Sequence, residues 1–478
     1  MLTPADARGP TDVAVPEPDA LTILRDSGSF RDPSGFVFHH GGRVFRAVST
    51  AGAADVRAVR ATGLIDRLVA AGRLLPEVDV SQEFAPSVGA EMVLEHPALP
   101  FVSYPYEWPF RLLRAAALLH LDIQMAALDA GVALSDATAY NVQFRGARPV
   151  FIDHLSFRPY VDGELWAGHR QFCDQFLHPL LLESRAGVPF QPWYRGSIDG
   201  IPGAHLVPLL RTRHKIDWKV LVHVVLPARL QNVATRPGVE RRVRRGRLSR
   251  RAFRGLLTTL REWIARLAPA TAGRTTWRDY DETIPASEST AIAHFVADAI
   301  ADVRPYTVWD LGCNAGRYAD VALRAGAGLV VGLDTDPGAL DRAATRAQEQ
   351  QLAFLPLHVD IANPSPSHGW NGIERRGLLE RGPADAVLAL SLVHHIAIGR
   401  NVPLPGVVDL LVRVSGEGVI GFVPPTDGRA SALFRGRDLL FEGYTLDNFI
   451  AALSRRARIL ARQNIPGSDR VLLRYSTK

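Results

Sequence analysis

The chain has 478 residues, enough for two or three domains, and its 47% hydrophobic and 22% charged content marks a globular protein, neither fibrous nor disordered. A formal net charge of +6 is weak for this length, so a nucleic-acid partner would need a concentrated basic patch. The only cysteines, Cys173 and Cys313, lie far apart, which excludes a disulfide framework or a zinc site built from them, and no metal is expected.

Residues 1–20 are rich in Pro, Ala and Asp and read as a flexible tail without an apolar export segment. No apolar run reaches the ~18 residues that a membrane span needs, so a soluble, cytoplasmic protein is expected. Phe36–Phe38 and Val44–Val48 alternate around Gly41-Gly42 as a β-hairpin. Helical periodicity follows around Val56–Ala71 and Arg111–Ala130, then a short strand at Val150–Ile152 and a mostly helical stretch over 165–232. Residues 236–254 hold nine arginines against one glutamate, and this cluster reads as a solvated linker or as a seat for an anionic partner. From Phe253 the apolar spacing (Leu256, Leu257, Leu260, Trp263, Ile264, Leu267) predicts an amphipathic helix. The expected divisions are a tail (1–20), an N-terminal domain (21–235), a basic linker helix (236–270) and a C-terminal domain (271–478).

After Pro285 strands and helices alternate. Tyr306–Leu311, Leu329–Asp334, Ala353–Val359, Ala384–Leu390, Val419–Val423 and Val471–Tyr475 read as strands, which implies an α/β domain with a mostly parallel sheet. The first strand runs into Asp310-Leu311-Gly312-Cys313-Asn314-Ala315-Gly316 and then a helix. A dinucleotide fingerprint, G-x-G-x-x-G, would fall on Gly312, Asn314 and Arg317, and two of the three fail. A carboxylate at the strand end favours a cationic ligand instead, such as the ammonium and sulfonium of S-adenosylmethionine. The second strand ends in Asp334, an acid able to accept hydrogen bonds from two ribose hydroxyls. The third ends at Asp360-Ile361, suited to the adenine amino group and ring.

Asp310, Gly312, Gly316, Asp334, Asp360-Ile361 and the run Asp385–His395 resemble, in order, the motifs of class I S-adenosylmethionine-dependent methyltransferases. The resemblance covers roughly the last 200 residues and implies a Rossmann-like sheet, parallel with an antiparallel last strand. It further implies Ser391 as a cofactor neighbour and His394 or His395 as the base that deprotonates an oxygen or nitrogen nucleophile. Tyr280 is a candidate to close over the cofactor or substrate, or to pack the domain junction.

In the N-terminal half, Asp136, Asn141 and Asp153 reproduce the spacing of a kinase catalytic loop and its metal-binding acid. Phe101–Trp108 fits the strand between kinase lobes, and Arg46 is the nearest stand-in for the phosphate-pairing lysine, since no lysine precedes Lys215. The resemblance is thus to a degenerate kinase fold, an α+β domain. Arg31–Phe38, Phe101–Pro109, Gly131–Phe157 and Arg170–Phe176 are similar to two-part bacterial proteins that include host-specific nodulation methyltransferases. That likeness implies a small-molecule or glycoconjugate acceptor. Gly421–Pro425 departs from it, because an acid and a lysine would flank the Phe-Val-Pro core. The alternatives are a methyltransferase of RNA or protein, a non-catalytic assembly protein, and a bifunctional kinase-methyltransferase.

Overall fold

A computed structural model describes residues 23–231, 247–270, 275, 284–427 and 443–478. Contacts divide the chain into two units, Met1–Ala53 with Pro76–Ala98, and Ala54–Leu75 with Leu99–Lys478.

The first unit is an antiparallel sheet of β1 (Leu24–Arg25), β2 (Gly35–His40), β3 (Arg43–Val48), β4 (Val78–Asp79) and β5 (Met92–His96), in the order β1-β2-β3-β5-β4. The expected hairpin joins β2 to β3. Its two turn residues, Gly41 and Gly42, have φ of 54° and 73°, the positive values a two-residue hairpin turn needs. Phe38 and Phe45 stack at 5.1 Å and pack with Phe84 and Val93 as this unit's own core. Arg46 lies 3.9 Å from Asp32.

The second unit opens with helices and two strand pairs. β6 (Val132–Leu134) pairs with β9 (Phe157–Pro159), and β7 (Val142–Arg145) pairs with β8 (Arg148–Phe151), both antiparallel. Helix Phe110–Asp129 carries the apolar periodicity read from the sequence and buries Leu113, Ala116, Ala117 and Ile123. The helix Arg250–Ala265 buries Phe253, Leu257, Leu260, Trp263 and Ile264, as the spacing predicts. Its polar side holds the end of helix Phe110–Asp129. Arg254 binds Asp129 at 2.9 Å, Arg261 binds Asp122, and Arg250 donates to the Leu128 carbonyl. Cations at a helix C-terminus are electrostatically favoured. Arg250 and Arg254 of the basic cluster are therefore engaged within the chain, and residues 232–246 lie outside the described residues. Phe101–Trp108 forms no strand. Pro105 has no N–H for a ladder, and the backbone turns through Pro105–Glu107, where the Tyr104 N–H donates to Glu107 at 3.0 Å.

The large sheet consists of β10 (Thr307–Leu311), β11 (Leu329–Asp334), β12 (Phe354–His358), β13 (Ala386–Ala389), β14 (Glu417–Phe422), β15 (Arg458–Asn464) and β16 (Val471–Ser476). Its order is β12-β11-β10-β13-β14-β16-β15. The first five in that order run parallel, while β16 pairs antiparallel with β14 and with β15. The parallel sheet with an antiparallel final strand is as expected. β15 was not, because its alternation of half-buried and exposed residues includes three arginine or glutamine side chains and no long apolar run. Buried on both faces, β10 to β13 are nearly all apolar. The order reverses between β10 and β13, so their following loops diverge and open a crevice at the carboxyl ends of the strands.

The N-terminal half of this unit grips the sheet through a buried ion pair. Arg381 is 4% exposed and Glu107 0%. The guanidinium donates to Glu107 Oε2 at 2.9 Å and to the Val102 carbonyl at 2.6 Å, and lies over the rings of Phe101 and Tyr104. Phe101 meets Trp309 of β10 edge-on at 5.7 Å. Replacing one partner of such a pair strands the other charge. Arg381→Met is expected to lower the unfolding free energy by about 3–5 kcal/mol in urea denaturation. A loss under about 1 kcal/mol would mean that Glu107 is solvated by some other route.

Candidate active site

Every predicted cofactor residue sits at the carboxyl end of a parallel strand or in the loop after it. Asp310, the next-to-last residue of β10, is only 3% exposed, and the strand runs into the glycine loop. Gly312 and Gly316 have φ of 79° and 76°, values that L side chains rarely adopt. At Gly316 an added Cβ would also collide with the Phe354 ring. The Gly312 N–H donates to the Leu333 carbonyl at 2.8 Å, which pins the turn to the neighbouring strand.

Asp334 organises this region. Its carboxylate accepts the N–H of Asn314 at 2.9 Å, of Thr335 at 2.7 Å and of Asp336 at 2.9 Å. Asp336 in turn accepts from Ala339 at 2.9 Å and caps the helix Pro337–Glu349. Burial pushes the Asp334 carboxyl above its ordinary value, and the three N–H bonds pull the other way. A carboxylate has about four acceptor positions, so these three bonds leave about one open.

Asp360 follows β12. It accepts the Ala362 N–H at 2.9 Å and pairs with Arg400 at 2.6 Å, while Ile361 is buried beside it. Ser391 lies half-buried just after β13. His394 and His395 occupy the short helix Val393–Ala397, with their ring centroids 4.2 Å apart. Among the described residues, Nδ1 of His394 is buried without a hydrogen-bond partner. Burial first, then His395 and Arg470, hold His394 well below the ordinary imidazole value of 6.5, with Asp427 opposing. Burial and Arg470 depress His395 as well. Both rings are therefore neutral near pH 7. Tyr280 lies outside the described residues.

Sequence reading missed the groups behind the histidines. Arg470, from the loop before β16, donates to Asp427 at 2.7 Å and lies 3.5 Å from Glu288 in the first turn of helix Ala286–Val303. All three are buried. They come from segments separated by more than a hundred residues of chain at the widest, and no local spacing announces them. Asp385 serves the opposite end of the sheet, where it accepts the Thr307 N–H at 2.7 Å.

In the N-terminal half, Asp136, Asn141 and Asp153 do come together. Asn141 donates to Asp136 at 3.1 Å, and the Ser156 hydroxyl lies 2.8 Å from Asp136 and 2.7 Å from Asp153. Ser156, the bridge, carries no sequence signal of its own.

The donor set fits S-adenosylmethionine. Carboxylates stand at the ends of β10 and β11, the glycine loop leaves open space at Gly312 (only Leu392 Cδ1 would come within 4 Å of a Cβ, at 3.9 Å), and no lysine or arginine stands in the loop before Arg317 to meet a pyrophosphate. Asp334→Asn turns an accepting oxygen into an NH2 that faces a backbone N–H. Its affinity for S-adenosylmethionine is expected to fall roughly 10–100-fold in calorimetric titration. Unchanged affinity would remove Asp334 from the site.

Comparison with known proteins agrees. Residues 309–403 match the family described as a methyltransferase domain. Over 68 residues, 14% of this chain and 23% of the relative, the chain is 38% identical to the ribosomal protein L11 methyltransferase of Sodalis glossinidius (strain morsitans). NodS, an N-methyltransferase of Bradyrhizobium japonicum WM9, aligns with 40% of this chain and 97% of its own at 14% identity and a TM-score of 0.30, too loosely to add to the argument. The nodulation protein NoeA of Rhizobium meliloti (strain 1021) is 44% identical over 461 residues, 94% of this chain and 96% of the relative. The chain belongs to the family of that nodulation protein and is a methyltransferase dependent on S-adenosylmethionine.

Proposed function

We propose that the acceptor is a small molecule or glycoconjugate, bound where the N-terminal half of the second unit meets the segment that follows Asp360-Ile361. The observation that carries this reading is a group of buried polar atoms without partners. Oη of Tyr106, Tyr140 and Tyr194 and Nε2 of His368 have no hydrogen-bond partner among the described residues. Tyr106 lies 5.5 Å from Tyr104 and 5.3 Å from His368 between ring centroids, and Arg375 stands 4.5 Å over the Tyr140 ring. Burial pushes all three hydroxyls well above their ordinary value, so each stays protonated and able to donate. Buried donors left unmatched are costly, and aromatic faces with hydroxyls and a guanidinium suit a polyhydroxylated ligand. The wall reaches the cofactor side through Arg195, which donates to the Asn363 carbonyl at 3.2 Å. The relative's name, a nodulation protein, is consistent with such an acceptor but does not identify one.

S-adenosylmethionine, when bound, supplies an electrophilic methyl group on a sulfonium. The chain's own part is to orient the nucleophile, exclude water and take its proton. His394 and His395 are the groups we assign to that proton, which would pass to a ring nitrogen as the nucleophile bonds to the methyl carbon and the carbon–sulfur bond breaks, its electron pair staying on sulfur as a neutral thioether. An RNA or protein acceptor is the weaker reading, since Arg250 and Arg254 bind the chain's own helix rather than facing a partner.

The test is methyl transfer from radiolabelled S-adenosylmethionine into fractionated cell extract. Label is expected among small molecules or glycoconjugates; label confined to RNA or protein would overturn this assignment. A pH profile tests the base. A histidine whose folded value is depressed stays neutral as pH falls through 6.5, so the acid limb of kcat/KM is expected below pH 6.5. A limb centred on 6.5 would place the base on an ordinary imidazole elsewhere.

A further inference from the structure

The helical stretches after β9 bring together three side chains able to ligate a metal, separate from every cofactor motif. His169 and Cys173 stand four residues apart, so one helical turn puts both on the same face. His223 reaches them from 54 residues beyond His169. His169 Nε2 lies 3.1 Å from His223 Nδ1 and 3.8 Å from Cys173 Sγ, and the three atoms fall within 4.8 Å of one another. Zinc bonds of about 2.05 Å to nitrogen and 2.3 Å to sulfur, set tetrahedrally, hold N and N about 3.3 Å apart and N and S about 3.6 Å apart. The two separations from His169 lie within about 0.2 Å of those values, and the Cys173–His223 separation is within 4.8 Å, so the three donors surround a common point.

The backbone is a second, independent observation. Two of the π-turns among the described residues fall on these ligands, at Cys173–Leu177, which begins on Cys173, and at Leu221–Val225, centred on His223; a third, Leu182–Ala186, does not. Such turns are uncommon and concentrate at functional sites. Cys173 and His223 are buried, and Trp166 and Trp263 flank the two imidazoles with centroids at 5.5 Å and 6.3 Å. His169 is partly exposed and gives an ion a way in.

We propose that His169, Cys173 and His223 bind one zinc ion, with water in the fourth position. Two imidazoles and a thiolate are a borderline-soft set that suits zinc over the hard alkaline-earth ions. As the S–Zn bond forms, Cys173 releases its thiol proton to solvent, and nothing is oxidised or reduced. The ion joins two helical stretches distant in sequence. The first also braces the 136–141 loop, since Gln171 accepts from the Ala137 N–H at 2.8 Å and Gln175 from the Ala139 N–H at 2.8 Å. The two cysteines alone make no metal site; two histidines complete one around Cys173.

The test uses the full chain purified without a histidine tag, stripped by dialysis against chelator, then titrated with zinc against a chromophoric chelator and separately with cobalt(II). One ion per chain is expected, with a thiolate-to-cobalt charge-transfer band. Cys173→Ser should abolish the band, and His223→Asn should weaken zinc binding roughly tenfold or more. S-adenosylmethionine binding, retained in both variants, reports that each still folds. If His223→Asn fails to fold, the Cys173→Ser arm decides alone. No stoichiometric zinc in the wild type, or equal binding and the same cobalt spectrum in Cys173→Ser, would overturn the proposal.

Discussion

The Asp334 carboxylate receives N–H bonds from Asn314, Thr335 and Asp336, and these bonds tie the turn after β10, the end of β11 and the start of the next helix to one point. Of the three donors converging on this one acceptor group, Asn314 belongs to the glycine loop and ties it to the end of β11. Each such bond to a charged group contributes about 1.5–3 kcal/mol. Asp336 then orders the following helix, and the Gly312 N–H locks to Leu333. These contacts fix the loop from within the chain, and a loop fixed in that way lowers the ordering cost that binding must overcome.

Preorganisation extends outward from that loop in two directions. Toward the N-terminal half, Trp309 on β10 receives Phe101, whose neighbour ion pair Arg381–Glu107 is sealed from water. The strand that presents Asp310 is thus braced by residues two hundred positions upstream. Toward the carboxyl end of the sheet, Arg470 gathers Asp427 and Glu288 behind His394 and His395. A buried cation near two imidazoles favours their neutral forms, which is the state in which a ring can take a proton.

The parts of the site legible in the sequence are those whose reason is local. Asp310, Gly312, Gly316 and Asp334 could be read because a strand, its terminal acid and a turn glycine are adjacent in the chain. Asp136, Asn141 and Asp153 could be read because the β7–β8 hairpin returns the chain after a fixed, short distance. Glu288, Asp427 and Arg470 could not, because only the sheet order brings helix, loop and turn together. His223, a ligand in the proposed zinc site, escaped for the same reason: fifty residues and several helices separate it from Cys173. β15 was missed because an edge strand with one solvated face has no need of apolar residues at each position. Phe101–Trp108 misled in the other direction, since an aromatic-rich run reads as a strand although Pro105 breaks the ladder.

The account stands on a loop shaped for a cationic adenosine ligand rather than for a pyrophosphate. Parallel calorimetric titrations of the full chain with S-adenosylmethionine and with NAD test this directly. The account predicts saturable binding of one S-adenosylmethionine per chain and no measurable binding of NAD. Saturable NAD binding, or no S-adenosylmethionine binding by folded protein, would contradict it.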